Sequence, residues 1–219
     1  MGAEAVARYR EALRLKPDLF EAQHSLANAL YKQGDPAGAL SLFRSALALR
    51  PDDAETHYDL GTVLIQTGDV SGAIAQFEQS LRLDPARAEA HDNLGVALAS
   101  AGRLPEAIAQ FNEALGREPR LLRARVNLGG ALADQDRLSE AAAQFEEALR
   151  IEPEFNGARI NLANVLCREG RFGEAIPLFE RALRSEPDNR AVRRNLGAAL
   201  AAVGRNDEAR AELQRAGRP

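Results

Sequence analysis

The hydrophobic positions of this chain follow a helical period, and the whole pattern then repeats as a block. Between Phe20 and Asp53, Leu26 and Leu30 lie four residues apart and so share one helix face. A polar break at Gln33-Gly34-Asp35 follows, and a second stripe runs through Ala39, Phe43, Ala46 and Leu47 before Pro51. Glycine accommodates the left-handed turn that ends a helix, and proline cannot continue one. The block is therefore predicted to be a hairpin of two antiparallel helices.

The block recurs with fixed spacing. Pro17, Pro51, Pro85, Pro119, Pro153 and Pro187 stand 34 residues apart. Gly34, Gly68, Gly102, Gly170 and Gly204 keep the same register, with Asp136 where the sixth glycine would fall. So do Ala39, Ala73, Ala107, Ala141, Ala175 and Ala209, and the aromatic column Phe43, Phe77, Phe111, Phe145 and Phe179. Leu26, Leu60, Leu94, Leu128, Leu162 and Leu196 mark the first helix of each block. Pro36 and Pro105 fall in the first turn of second helices, where a missing N–H does no harm. One hairpin cannot bury its apolar face alone, so successive hairpins are predicted to stack into a continuous core. The phenylalanine column is expected to fill the gap toward the next hairpin.

A 34-residue helix–turn–helix unit with these columns resembles the tetratricopeptide repeat family over almost the whole chain. The resemblance implies an all-α fold, a right-handed α-solenoid superhelix of antiparallel helix pairs. A single solenoid over 1–219 is expected, with a half repeat at 3–19 carrying Ala5, Tyr9 and Ala12 in the family columns. Full repeats follow at 20–53, 54–87, 88–121, 122–155 and 156–189, and a last, slightly short one at 190–219. The chain departs from the family at its first-helix Trp column, which reads Gln23, His57, His91, Arg125, Arg159 and Arg193. The Tyr column is all leucine, and Leu213 replaces the last phenylalanine.

The resemblance also places first helices on a concave side, with repeat positions 2, 5, 6, 9 and 13 lining a groove. Position 6 reads Ser25, Asp59, Asn93, Asn127, Asn161 and Asn195. Asparagine is a poor helix former, so four in register call for a reason. One reason is a ladder of amides bonding the main chain of an extended peptide, with Asn28 and Asn164 of position 9 beside it. Such a ladder resembles that of the helical arm of O-linked N-acetylglucosamine transferases. The other reason is that the amides bond within or between repeats and serve the scaffold alone. Position 2 reads Glu21, Glu55 and Glu89, then Arg123, Gly157 and Ala191. With Asp59 and Asp92 early and Arg168 and Arg194 late, the groove is expected to run from acidic to basic. Glutamates early in helices also favour the positive end of the helix dipole, which needs no ligand. The carboxylate clamp of chaperone adaptors asks for basic side chains where this chain has Asp59 and Glu89, so that mode is disfavoured.

Composition narrows the function. The net charge is −4, which does not favour general binding to nucleic acid or anionic membrane. The charge is uneven: residues 1–119 carry 11 basic and 17 acidic side chains, and residues 120–219 carry 17 and 15. Cys167 is the only cysteine, so no intrachain disulfide is available. No apolar run approaches the ~20 residues of a membrane span. Met1 is followed by an amphipathic pattern rather than an apolar leader, so a cytoplasmic protein is expected. His57 and His91 are one period apart, too far to share a metal, and are expected to pack between hairpins. No phosphate loop, nucleophile motif or dinucleotide fingerprint is present, so neither catalysis nor a cofactor is expected.

The leading reading is thus a non-catalytic scaffold that binds an extended peptide or partner protein in its groove. The alternatives are the substrate-binding arm of a glycosyltransferase and a self-assembling scaffold. The last is motivated by a half repeat at one end and, at the other, no expected polar helix to cover the final apolar face.

Overall fold

The structure, a computed structural model, describes residues 2–217, and among them every regular element is a helix. The chain gathers into two compact units, 1–119 and 120–219. The first holds α1 (Gly2–Leu15), α2 (Phe20–Lys32), α3 (Pro36–Leu49), α4 (Ala54–Gln66), α5 (Val70–Leu83), α6 (Ala88–Ser100) and α7 (Leu104–Arg117). The second holds α8 (Leu122–Asp134), α9 (Leu138–Ile151), α10 (Asn156–Arg168), α11 (Phe172–Ser185), α12 (Arg190–Ala202) and α13 (Asn206–Ala216). Helices α1 to α12 end where the proline and glycine columns predict, with Asp136 in place of glycine after α8. The architecture is an all-α helical-repeat solenoid.

The chain reverses at the glycine column for a definable reason. Gly34 has φ 83°, and Asp35 N–H donates back to Leu30 O at 2.9 Å while Gly34 N–H donates to Tyr31 O at 3.0 Å. Those bonds satisfy carbonyls that the helix end would otherwise strand. Asp136 adopts the same left-handed backbone at φ 59° although it carries a side chain. The second helices start on caps. Asp35 and Asp69 accept from Gly38 and Gly72 N–H, both at 2.9 Å. In the later hairpins Arg103, Arg137, Arg171 and Arg205 stand at that place, each paired with a glutamate three residues on.

Alanine and phenylalanine columns form the core: Ala39, Phe43, Ala73, Phe77, Ala175 and Phe179 are fully buried. Phe77, Phe111 and Phe145 lie against the first helix of their own hairpin, where glycine makes room, and Phe77 also borders a cavity shared with Asn93 and Val96 of the next hairpin. A methyl carbon built on Gly61 would stand 2.7 Å from the Phe77 ring, and on Gly95 2.5 Å from Phe111. In the second unit Gly129 has the same relation to Phe145, at 2.7 Å. In α1, the corresponding Ala5, Tyr9 and Ala12 are only half-buried.

Helix contacts give each unit a sidedness. In the first, the backbones of α2 and α4, and of α4 and α6, approach closely, whereas among the described residues those of α3, α5 and α7 do not. In the second, the backbones of α8 and α10, and of α10 and α12, approach closely, whereas among the described residues those of α9, α11 and α13 do not. First helices therefore crowd along the inner side of each unit, and second helices fan out along the outer side.

The last helix departs from expectation. α13 reads NDEARAELQRA and exposes Asp207, Glu208, Arg210, Gln214 and Arg215, so its outer face is polar. Leu213, 47% exposed, is its one open large apolar side chain. The apolar end face that motivated a self-assembling scaffold is not found on this helix.

Candidate functional site

The inner face of the first unit is built from α2, α4 and α6, whose positions 2, 5, 6 and 9 come round to one side every turn. Glu21 is exposed and paired with Arg50 of the next turn, whose guanidinium also lies 4.2 Å from the Phe20 ring centroid. Glu55 and Glu89 are exposed and, among the described residues, make no ion pair. Between α2 and α4 lies a polar cluster. Asp59 Oδ2 sits 2.9 Å from His24 Nε2 and accepts from Asn28 Nδ2 at 2.8 Å. The bond to Asp59 holds the His24 imidazolium above its ordinary pKa, against the opposing effect of burial.

One repeat further on, Asn93 Nδ2 donates to Tyr58 Oη at 3.1 Å, and the Arg87 guanidinium lies 3.9 Å from the Tyr58 ring centroid. Asp92, at position 5 of α6, is fully buried rather than exposed.

In the second unit, α8, α10 and α12 form the corresponding face. Arg123 is exposed and Asn127 half-buried. Asn161 is half-buried and, among the described residues, makes no side-chain hydrogen bond. Asn195 Nδ2 donates to Asn164 Oδ1 at 2.8 Å, joining α12 to α10. Arg168 turns back to Asp136 at 3.1 Å, and Arg194 is exposed. The asparagine column thus has two occupations: some amides tie one first helix to the next, and Asn161 is left open.

Among the described residues, cavities open along the first unit. One of about 470 Å³ lies beside Tyr9, His24, Asn28 and Lys32. A second, about 350 Å³, is bordered by Asn28, Tyr31, Lys32, Glu55, Asp59 and Thr62. A third, about 80 Å³, is walled by Thr62, Ile65, Phe77, Asn93 and Val96.

The substituted Trp column has a role that its sequence does not announce. Gln23 Nε2 donates to Pro17 O at 2.7 Å, and Arg193 Nε to Pro187 O at 2.9 Å. Arg159, 1% exposed, bonds Pro153 O and Asn156. His57 bridges Pro51 O at 2.8 Å and Gln76 at 2.7 Å, and His91 bridges Pro85 O at 3.2 Å and Gln110 at 2.8 Å. These side chains fasten each first helix to its entry turn and, where Gln or Glu faces them, to its own second helix. His57 and His91 thus link the turn that closes one repeat to both helices of the repeat that follows.

Among the described residues no group of three His, Cys, Asp or Glu is placed to hold a metal. Cys167 is half-buried, and burial raises its thiol pKa, away from the thiolate a nucleophile needs. Among the described residues no helix is long and apolar enough to cross a membrane.

Comparison with known families agrees with this architecture. Tetratricopeptide repeat profiles match residues 18–86, 58–121, 107–154 and 166–218. The chain belongs to the tetratricopeptide repeat family. No curated protein matches it in sequence. Among solved structures it is similar to PilW, a widely conserved type IV pilus biogenesis factor, at 23% identity. That likeness covers 89% of this chain and 90% of PilW, with a TM-score of 0.79. The Pseudomonas aeruginosa pilF product is 21% identical over 88% of both chains, with a TM-score of 0.77. YrrB, described as a repeat protein with an unusual peptide-binding site, is 22% identical over 84% of this chain and 95% of its own, with a TM-score of 0.71. At these identities the likeness is one of fold.

Proposed function

We propose that this chain is a non-catalytic interaction module whose inner helix face binds an extended segment of a partner protein. The observation that carries the reading is the unspent hydrogen-bonding capacity of the asparagine column. Among the described residues Asn161 has no side-chain hydrogen-bond partner, and Asn93 commits one N–H to Tyr58 and keeps its carbonyl and second N–H. Amides of this kind match a peptide main chain, which offers a donor and an acceptor at every residue. The exposed, unpaired Glu55 and Glu89 favour basic side chains on the first unit. Arg194 favours acidic ones on the second. YrrB, of the same fold, carries a peptide-binding site by its description.

The arm of an O-GlcNAc transferase is the alternative that uses the same column. A transferase domain in the same reading frame would decide for it. The direct experiment replaces Asn93, Asn161 and Asn195 together with alanine and measures anisotropy of fluorescent peptides selected on the native chain. A loss of at least about 10-fold with an unchanged circular dichroism spectrum supports the groove, since each lost bond is worth ~1 kcal/mol. Unchanged affinity refutes it.

A further inference from the structure

We infer that the first unit reads one small aliphatic side chain, no larger than valine, at the peptide residue that Asn93 holds. The inference rests on the proposed peptide groove and adds its selectivity. The seat is the cavity of about 80 Å³ between α4 and α6, walled by Thr62, Ile65, Phe77, Asn93 and Val96.

Its floor is unusual in origin. Phe77 belongs to the outer helix α5, yet its ring borders the inner face. It does so because Gly61 of α4 has no side chain: a methyl carbon there would stand 2.7 Å from the ring. Ile65 and Val96 supply the aliphatic walls. Thr62 has already given its hydroxyl proton to Tyr58 O at 3.0 Å. The side-chain donor still free among these lining residues is therefore the second N–H of Asn93, whose first is held by Tyr58 Oη at 3.1 Å. Asn93 is oriented to grip a main chain directly above an apolar hole.

The same repeat positions elsewhere are furnished differently. Between α2 and α4 they carry Asn28, Tyr31 and Asp59, and the opening there, about 350 Å³, is wide and bordered by Glu55. Between α8 and α10 they carry Gly130, Ala133 and Asn161, and between α10 and α12 Asn164, Cys167 and Asn195. Within either unit, only the α4–α6 gap combines threonine, isoleucine, phenylalanine and valine. At ~30 Å³ for a water-sized group, the cavity takes about three carbons. That fits alanine, threonine or valine, while leucine or phenylalanine overfills it.

The test selects a random dodecapeptide phage library on the full chain and measures the synthetic winners by fluorescence anisotropy. One peptide position is expected to prefer valine, with alanine, leucine or phenylalanine there each weakening binding by about 10-fold. Val96→Ala, which enlarges the cavity, is expected to shift that preference to leucine. Val96→Phe, which fills it, is expected to erase the preference for valine. If the filled variant does not fold, the enlarged one carries the test. Peptides that need Asn93 but tolerate leucine and phenylalanine at every position overturn the pocket and leave the groove standing. So does a Val96→Ala chain with unchanged preference. Failure to recover any peptide that depends on Asn93, Asn161 or Asn195 overturns the groove itself, and the pocket with it.

Discussion

Arg168 Nη2 donates to Asp136 Oδ1 at 3.1 Å, joining the end of α10 to the turn after α8. Asp136 is the one non-glycine residue with positive φ among the described residues, at 59°. Aspartate tolerates that backbone because its branch point is planar and polar, whereas a β-branched side chain does not. Asp136→Val is expected to cost ~1–2 kcal/mol, and Asp136→Gly to be neutral or stabilising by up to ~1 kcal/mol. The ion pair itself is too exposed to alter that order. Urea denaturation of both variants measures it, and equal stability of the two would contradict it.

Glycine-to-alanine changes should have opposite signs at two sites in the same unit. At Gly61 the new methyl meets the Phe77 ring at 2.7 Å, so Gly61→Ala is expected to destabilise by ~1–3 kcal/mol despite better helix propensity. At Gly116, near the end of α7, nothing lies within 4 Å, and Gly116→Ala is expected to stabilise by ~0.5 kcal/mol. Thermal melts of the pair separate close packing from propensity.

The carbonyl-fastening column makes a third comparison. His57→Ala leaves Pro51 O and Gln76 without their partner and is expected to cost ~1–3 kcal/mol. His57→Gln should recover much of that loss, because Gln23 already makes the same bond to Pro17 O at 2.7 Å. Equal loss in both variants, read from urea midpoints, would show that ring packing rather than the bond matters.

Stability should also depend on pH through His24. Its pKa is raised in the folded chain by the bond to Asp59, so folding favours the protonated ring. The contribution is fully present below the unfolded value of about 6.5 and is lost as pH rises through the higher folded value. Urea midpoints from pH 6 to pH 8.5 should fall in the native chain by more than in Asp59→Asn. Parallel profiles for the two chains would exclude the pair as the cause.

The sequence made the hairpins readable because proline, glycine, alanine and leucine act through local rules that repeat with each unit. Less was readable where a side chain's role depends on what another helix brings to it. Gln23, His57 and Arg159 look like unrelated departures from a Trp column, yet all three bond a proline carbonyl six residues back. Asp92 sits at position 5 beside the exposed groove positions and is nonetheless sealed. The asparagine column was visible as a column, but not how its amides are shared: Asn195 bonds Asn164 and Asn93 bonds Tyr58, while Asn161 is open. The passage of Phe77 to the inner face depends on the register between α4 and α5, which no single-helix pattern contains.

The backbones of successive first helices approach closely and those of second helices do not, which sets where each unit bends most easily. Material in contact on one side and open on the other bends about the side in contact, as a hinged fan does about its pivots. A change in curvature within either unit would then widen or narrow the clefts among the outer helices, while the rungs along the inner side keep nearly constant spacing. The inner face would act as a ruler that stays in register with an extended chain even as the body around it breathes.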